Sequence, residues 1–272
     1  TRCCTSLFVL AVAGGAASQA AGEGYAAAVN TLQGTNSQFE LSRGNTYPAT
    51  ALPWGMHTWT PQTGRNGDGW KYQYRKRTIR GFQQAHQCSS WSNDYAVFSL
   101  MPVVGTLEVH EDRRATGFRH EDEVGRPHHY RVALASGVVV DMTPSERGAL
   151  LRFAFPDAQR AFVVFDGYNG NCTLEVQPDR RRLVGRVRNQ RGRPGGIEND
   201  FIVEFENEVL DAGVWRHVGD GRCEVAAETR IAGSNVGGYV EFPAGATVVA
   251  RVASSYIDAQ QAELTLGTGR PR

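Results

Sequence analysis

The chain has little lysine, little cysteine and no long oily stretch. Of its 29 basic residues only Lys71 and Lys76 are lysine, and the rest are arginine. With 28 acidic residues against them, the formal charge is +1. A protein that holds nucleic acid by charge alone carries a basic excess, so that class is excluded. Beyond residue 21 no apolar run approaches the roughly 20 residues that a membrane helix needs, so no membrane span is expected. After Cys3 and Cys4, cysteine occurs only as Cys88, Cys172 and Cys223. None of these forms a Cys-x-x-Cys pair, which argues against a zinc or dithiol motif. An odd count permits one disulfide with a free thiol, or none, and leaves a Cys172–Cys223 pairing open. Nucleophile-elbow, His-Glu-x-x-His, phosphate-loop and dinucleotide signatures are all missing.

Long helical periodicity is missing too. What is present is a series of short apolar runs cut by turn residues. Strands are predicted within 97–109, 130–143, 150–155, 161–168, 182–189, 201–209, 224–231 and 247–256. Phe201, Val203 and Phe205 alternate with Glu204 and Glu206, as a strand with one oily face requires. Leu151, Phe153 and Phe155 do the same around Arg152. Ser136-Gly137, Pro156-Asp157, the run 192–196 and Asp220-Gly221 are turn clusters. This pattern predicts an all-β fold, a large antiparallel β-sandwich with few helices. One helix is expected near the end of the chain, with Asp258 as its N-cap. Residues 25–95 read as irregular. His120, Glu121, Asp122 and Glu123 read as a solvated turn rather than a metal cluster, because neighbours on an extended chain face opposite ways.

Residues 1–21 carry Arg2, a short apolar run from Leu7 to Ala13, and small residues at Ala16, Ala17, Ser18 and Ala20. This is the make-up of a secretory signal peptide and predicts a secreted or periplasmic protein.

Chemistry-bearing residues concentrate in 43–95. Gly44-Asn45-Thr46-Tyr47-Pro48, Leu52-Pro53-Trp54-Gly55-Met56 and Gly67-Asp68-Gly69-Trp70-Lys71-Tyr72 come first. The run from Gly81 through Gln83, Gln84, His86, Gln87 and Trp91 to Asn93, Asp94 and Tyr95 follows. Aromatic faces stack on sugar C–H surfaces, and planar amides and carboxylates bind hydroxyls. The other reading is a long loop satisfying its own backbone.

The phrases GNTYPA, ALPWGM, TPQTG, DGWKYQY and IRGFQQAHQCSSWSNDYAVFSLMPVVG, in this order, resemble the N-terminal domain of glycoside hydrolase family 92, the exo-acting α-mannosidases. The stretches 118–134, 140–156 and 248–264 fit as well. The resemblance implies a β-sandwich domain over 22–266, a tail at 267–272, and an (α/α)6 barrel that this chain lacks. In such an enzyme a calcium ion helps bind the terminal mannose. A general-acid Glu and a base Asp hydrolyse the bond with inversion. Both carboxylates and most of the calcium ligands belong to the barrel, so no catalytic or metal-binding residue is expected here, and the isolated chain is expected to be inactive. A mannose-containing glycan and the absent barrel are the implied partners.

The family phrase resembles T-H-Q-P-S-P-W. Here Ala85-His86-Gln87-Cys88-Ser89-Ser90-Trp91 keeps His86, Gln87, Ser89 and Trp91 but lacks both prolines, which loosens the loop. The resemblance implies that Trp91 meets the sugar, with packing between domains as the alternative. His86 and Gln87 orient that loop or reach the sugar, and Asp94, Asn93 and Asn45 support it. A stand-alone carbohydrate-binding module and a decayed fragment are the competing readings.

Overall fold

Alternate residues along the strands have opposite surroundings, and this decides the architecture. In the segment Gly148–Ala154, Leu151 and Phe153 are buried while Leu150 and Arg152 face solvent. Strands of this kind bury their oily faces only by stacking two sheets. The computed structural model of the chain describes residues 24–37, 46–65, 67, 69–86, 94–157, 159–188 and 197–268.

The smaller sheet has the order β1 (Thr58–Gln62), β3 (Gly81–Ala85), β4 (Ser99–Val104), β9 (Ala161–Asp166), β16 (Val236–Phe242), β13 (Asp211–Gly219) and β14 (Arg222–Ala226). The larger sheet starts with β15 (Arg230–Gly233), β10 (Asn171–Gln177), β11 (Arg182–Arg188), β12 (Asn199–Phe205) and β17 (Thr247–Ser255). It continues through β8 (Gly148–Ala154), β7 (Val139–Ser145), β6 (His129–Leu134), β5 (Thr116–Arg126) and β2 (Thr78–Ile79). Neighbouring strands pair antiparallel throughout, and the expected all-β sandwich is the fold observed.

Aromatic rings join the two layers. Phe165 of β9 stacks on Phe201 of β12 with ring centres 4.7 Å apart, and Phe98 lies within 5.4 Å of the first and 4.8 Å of the second. Phe205 of β12 meets Phe242 of β16 at 5.1 Å. Each such pair adds about 0.5–1.5 kcal/mol beyond its buried area. The outer face of the larger sheet is partly covered by α1 (Ala259–Thr268), whose Ala262 and Leu266 pack on Ile202 and Ala253. The Asp258 side chain accepts from the Gln261 N–H at 2.7 Å, so the helix starts at the expected cap. Among the described residues no helix is long and apolar enough to cross a membrane.

Several elements differ from the sequence reading. The segment read as irregular contains β1, β2 and β3. The run 130–143 is a hairpin, β6 and β7, and 224–231 divides between β14 and β15. The segment around His120 is no solvated turn. It lies in β5, whose register against β6 jumps between Phe118 and Glu123, as at a bulge. The irregularity turns His120 and Glu123 inward, with His120 Nδ1 2.7 Å from Glu123 Oε2, and leaves Arg119 and Glu121 in solvent. Glu123 also accepts from the hydroxyls of Tyr72 and Tyr130. Cys172 on β10 and Cys223 on β14 carry free thiols, on opposite sheets.

β16 is not among the predicted strands, and it contains the pair Gly237-Gly238. Both glycines sit inside a fully buried strand. A Cβ on Gly237 would lie 2.1 Å from the Phe165 carbonyl oxygen and 2.6 Å from the Trp215 ring. Gly237→Ala is therefore expected to destabilise the fold by about 1–3 kcal/mol through overpacking. Phe201→Ala, which removes the ring shared by both layers, is expected to cost about 3–5 kcal/mol. Urea unfolding of the two variants against the parent chain checks both values.

Candidate functional site

β3 and β4 are joined by the segment that carries the sequence-predicted residues. Asp94 ties the two ends of that segment together. Its Oδ2 accepts the His86 N–H at 2.8 Å, and its Oδ1 accepts the Tyr95 N–H at 2.9 Å. The Lys71 ammonium lies 3.0 Å from Asp94 Oδ2 and donates to Gln83 Oε1 at 3.0 Å. Burial alone would raise the Asp94 carboxyl. The Lys71 charge and the contacts with His86 outweigh it and hold the group well below the usual carboxylate range. Asp94 is thus an anchored anion, unsuited to proton donation.

Rings gather around this anion. His86 stacks on Tyr95 at 4.8 Å and meets His57 edge-on at 5.0 Å. Tyr256, just past β17, lies 5.6 Å from both histidines. Both ring nitrogens of His57 and the Tyr256 hydroxyl are buried without a hydrogen-bond partner among the described residues. Burial, with the neighbouring His86 ring, pushes His57 well below its ordinary value, against a smaller opposing pull from Asp94. His57 is therefore neutral in the folded chain.

The amides predicted to meet a ligand are engaged inside the protein. Gln84 Nε2 donates to Ser254 Oγ at 2.9 Å, and its Oε1 accepts from Asn199 Nδ2 at 2.6 Å, which bonds β3 to the larger sheet. Gln83 is held by Lys71. Of the predicted site residues, His86 and Asp94 are thus brought together. Asn45, Gln87, Trp91 and Asn93 lie outside the described residues, as do Cys88 and Asp68. Trp70 is half-buried. Sequence reasoning missed His57 and Tyr256, which reach the site from distant segments and carry no local motif.

Calcium requires some six to eight oxygen ligands. Among the described residues no three of His, Cys, Asp or Glu come together to hold a metal ion. The buried carboxylates are already engaged: Asp94 by Lys71, Asp166 by Arg114, Asp200 by Arg186, Glu241 by Arg160, and Glu123 by two tyrosines. The described residues do not fit a calcium site.

Two outcomes follow from this geometry. Asp94→Asn leaves Lys71 buried without its counter-charge and is expected to destabilise the chain by about 3–5 kcal/mol in urea unfolding. The second concerns pH. Below about pH 6.5 the unfolded chain takes up a proton at His57 that the folded chain refuses. Stability then falls as pH falls, by at most about 1.4 kcal/mol per pH unit from this group. Unfolding measured between pH 7 and 5 should give a shallower slope for His57→Gln than for the parent, and equal slopes would contradict the assignment.

Known proteins share this arrangement of sheets. A family GH92 inverting mannosidase from Bacteroides thetaiotaomicron is 39% identical with a TM-score of 0.82, over 88% of this chain and 32% of that one. A second GH92 α-mannosidase from the same organism is 21% identical with a TM-score of 0.75, over 89% of this chain and 35% of its own. That α-mannosidase has also been solved in complex with mannoimidazole. The chain therefore spans about a third of the length of the mannosidases it matches. No curated protein matches it. The family model described as the glycosyl hydrolase family 92 N-terminal domain matches residues 28–255, and the chain belongs to that family as its N-terminal domain.

Proposed function

We propose that this chain is the glycan-contacting, N-terminal part of a longer exported, calcium-dependent α-mannosidase that removes terminal mannose with inversion, and that alone it is catalytically inert. The observation that carries the reading is its 39% identity to an inverting mannosidase of which it spans only 32%. Inverting hydrolysis needs two carboxyl groups about 6.5–9.5 Å apart, one protonated to release the leaving oxygen and one ionised to activate water. The buried carboxylates described above serve ion pairs and hydroxyl contacts within the sandwich. Under this reading the acid, the base and the calcium ligands lie in the rest of the protein. Export is supported by the make-up of residues 1–21.

The contribution of this chain is binding. Asp94 clamps both ends of the segment that carries Trp91, and His86 enters the buried ring cluster just before it. A segment fixed at its roots can present an aromatic face in one place, which reduces the ordering cost of stacking on a sugar. Trp91 is assigned as that face, with His86 and Gln87 orienting it.

The test is direct. The purified chain should release no mannose from mannobiose or an aryl α-mannoside, with or without added calcium. Turnover that chelation abolishes would overturn the reading. In the full-length enzyme, Trp91→Ala should lower kcat/KM by about tenfold or more, the value of one lost aromatic contact. An unchanged kcat/KM would remove Trp91 from the sugar site.

A further inference from the structure

One wall of the sandwich carries a feature that neither the fold nor the proposed function uses. Trp54 is 102% exposed, the most exposed large apolar side chain among the described residues. Its backbone φ is 64°, in the left-handed region. Leu52, Pro53, Trp54 and Gly55 form a tight turn, closed by the Gly55 N–H on the Leu52 carbonyl at 3.0 Å. With proline at the second position, the third is where a type II turn favours glycine or asparagine. A bulky indole there is strained and is buried against nothing, so it contributes neither propensity nor packing. Strain held at a solvent-facing aromatic is a pointer to a binding role.

The turn itself is fixed. The Met56 N–H donates to the Glu146 carbonyl at 2.7 Å, which pins it to the β7–β8 hairpin. Between the turn, the hairpin tip and the start of α1 lies a cavity of about 580 Å³. Trp54 forms one side, Glu146 and Arg147 the hairpin side, and Gln261 the helix side, with Tyr256 shared with the buried ring cluster. Here the Glu146 carboxylate, the Arg147 guanidinium and the Gln261 amide make no side-chain hydrogen bond or ion pair among the described residues. An exposed indole face, a carboxylate acceptor, a guanidinium donor and an amide that does both are the groups that a ring with an apolar C–H face and a rim of hydroxyls needs. The volume lies within the range of small-ligand pockets.

The geometry points to a pyranoside-binding subsite in this cavity, with the Trp54 indole as its stacking face and Glu146, Arg147 and Gln261 as hydroxyl partners.

The choice of a mannoside as the first probe rests on the function proposed above, whereas the site does not. Ligand-detected NMR titration of this chain with methyl α-D-mannopyranoside should give saturable binding at millimolar concentration. Trp54→Ala and Trp54→Gly should each weaken it by about tenfold, the loss expected for one aromatic face. The glycine variant suits the turn and keeps the fold. Trp54→Phe should retain most of the affinity, and Glu146→Gln should weaken it a few-fold. Saturable binding of methyl α-D-glucopyranoside alone would keep the subsite and count against the mannoside reading. Binding of neither sugar, or equal affinity in the parent and Trp54→Gly, would overturn the subsite and leave the mannosidase reading standing.

Discussion

The Asp94 carboxylate is the interaction on which this end of the molecule depends. It is a buried charge, and a buried charge persists only when it is paired and fully hydrogen-bonded. Lys71 pairs it, and the backbone N–H groups of His86 and Tyr95 complete it. Three segments therefore converge on one anion. The segment after Gly69 supplies the cation, the end of β3 supplies one donor, and the start of the run into β4 supplies the other. Remove the charge and the roots of the connecting segment lose their common anchor, while the sandwich core some distance away keeps its aromatic contacts.

The same end of the sandwich is where oily packing gives way to polar and aromatic groups. In the centre, Phe98, Phe165 and Phe201 close the gap between sheets without any polar atom. Towards the Asp94 end, the inter-sheet contact is made by Gln84, Ser254 and Asn199. Beyond them come the buried His57, whose ring nitrogens have no hydrogen-bond partner among the described residues, and the half-buried His86 and Tyr256. Unpaired buried polar atoms cost free energy. Tyr256 connects this ring cluster to the Trp54 cavity, which it also lines.

Much of the fold was legible because alternation in β8, β12 and β17 is a local property of the chain, set by which face of each strand is oily. The helix at the end was legible for a similar reason, since Asp258 caps it within three residues. β16 and β5 were not. The glycine pair in β16 breaks the apolar pattern, and only the close approach of Trp215 and the Phe165 carbonyl shows why Gly237 sits inside a strand. The acidic run at His120 reads as solvated until the register jump in β5 turns Glu123 towards two tyrosines. In both cases a neighbour distant in sequence reverses the local preference.

The candidate site divides along the same line. The sequence by itself determined the all-β class, the family and the segment that holds His86, Gln87 and Trp91, because motif order and strand alternation are written in consecutive residues. Only the tertiary structure decided that Gln83 and Gln84 face inward, that His57 and Tyr256 join His86, and that Trp54 stands clear beside Glu146, Arg147 and Gln261. Those relations depend on which strands lie next to each other in space, and that is fixed by how two sheets stack rather than by any local run of residues.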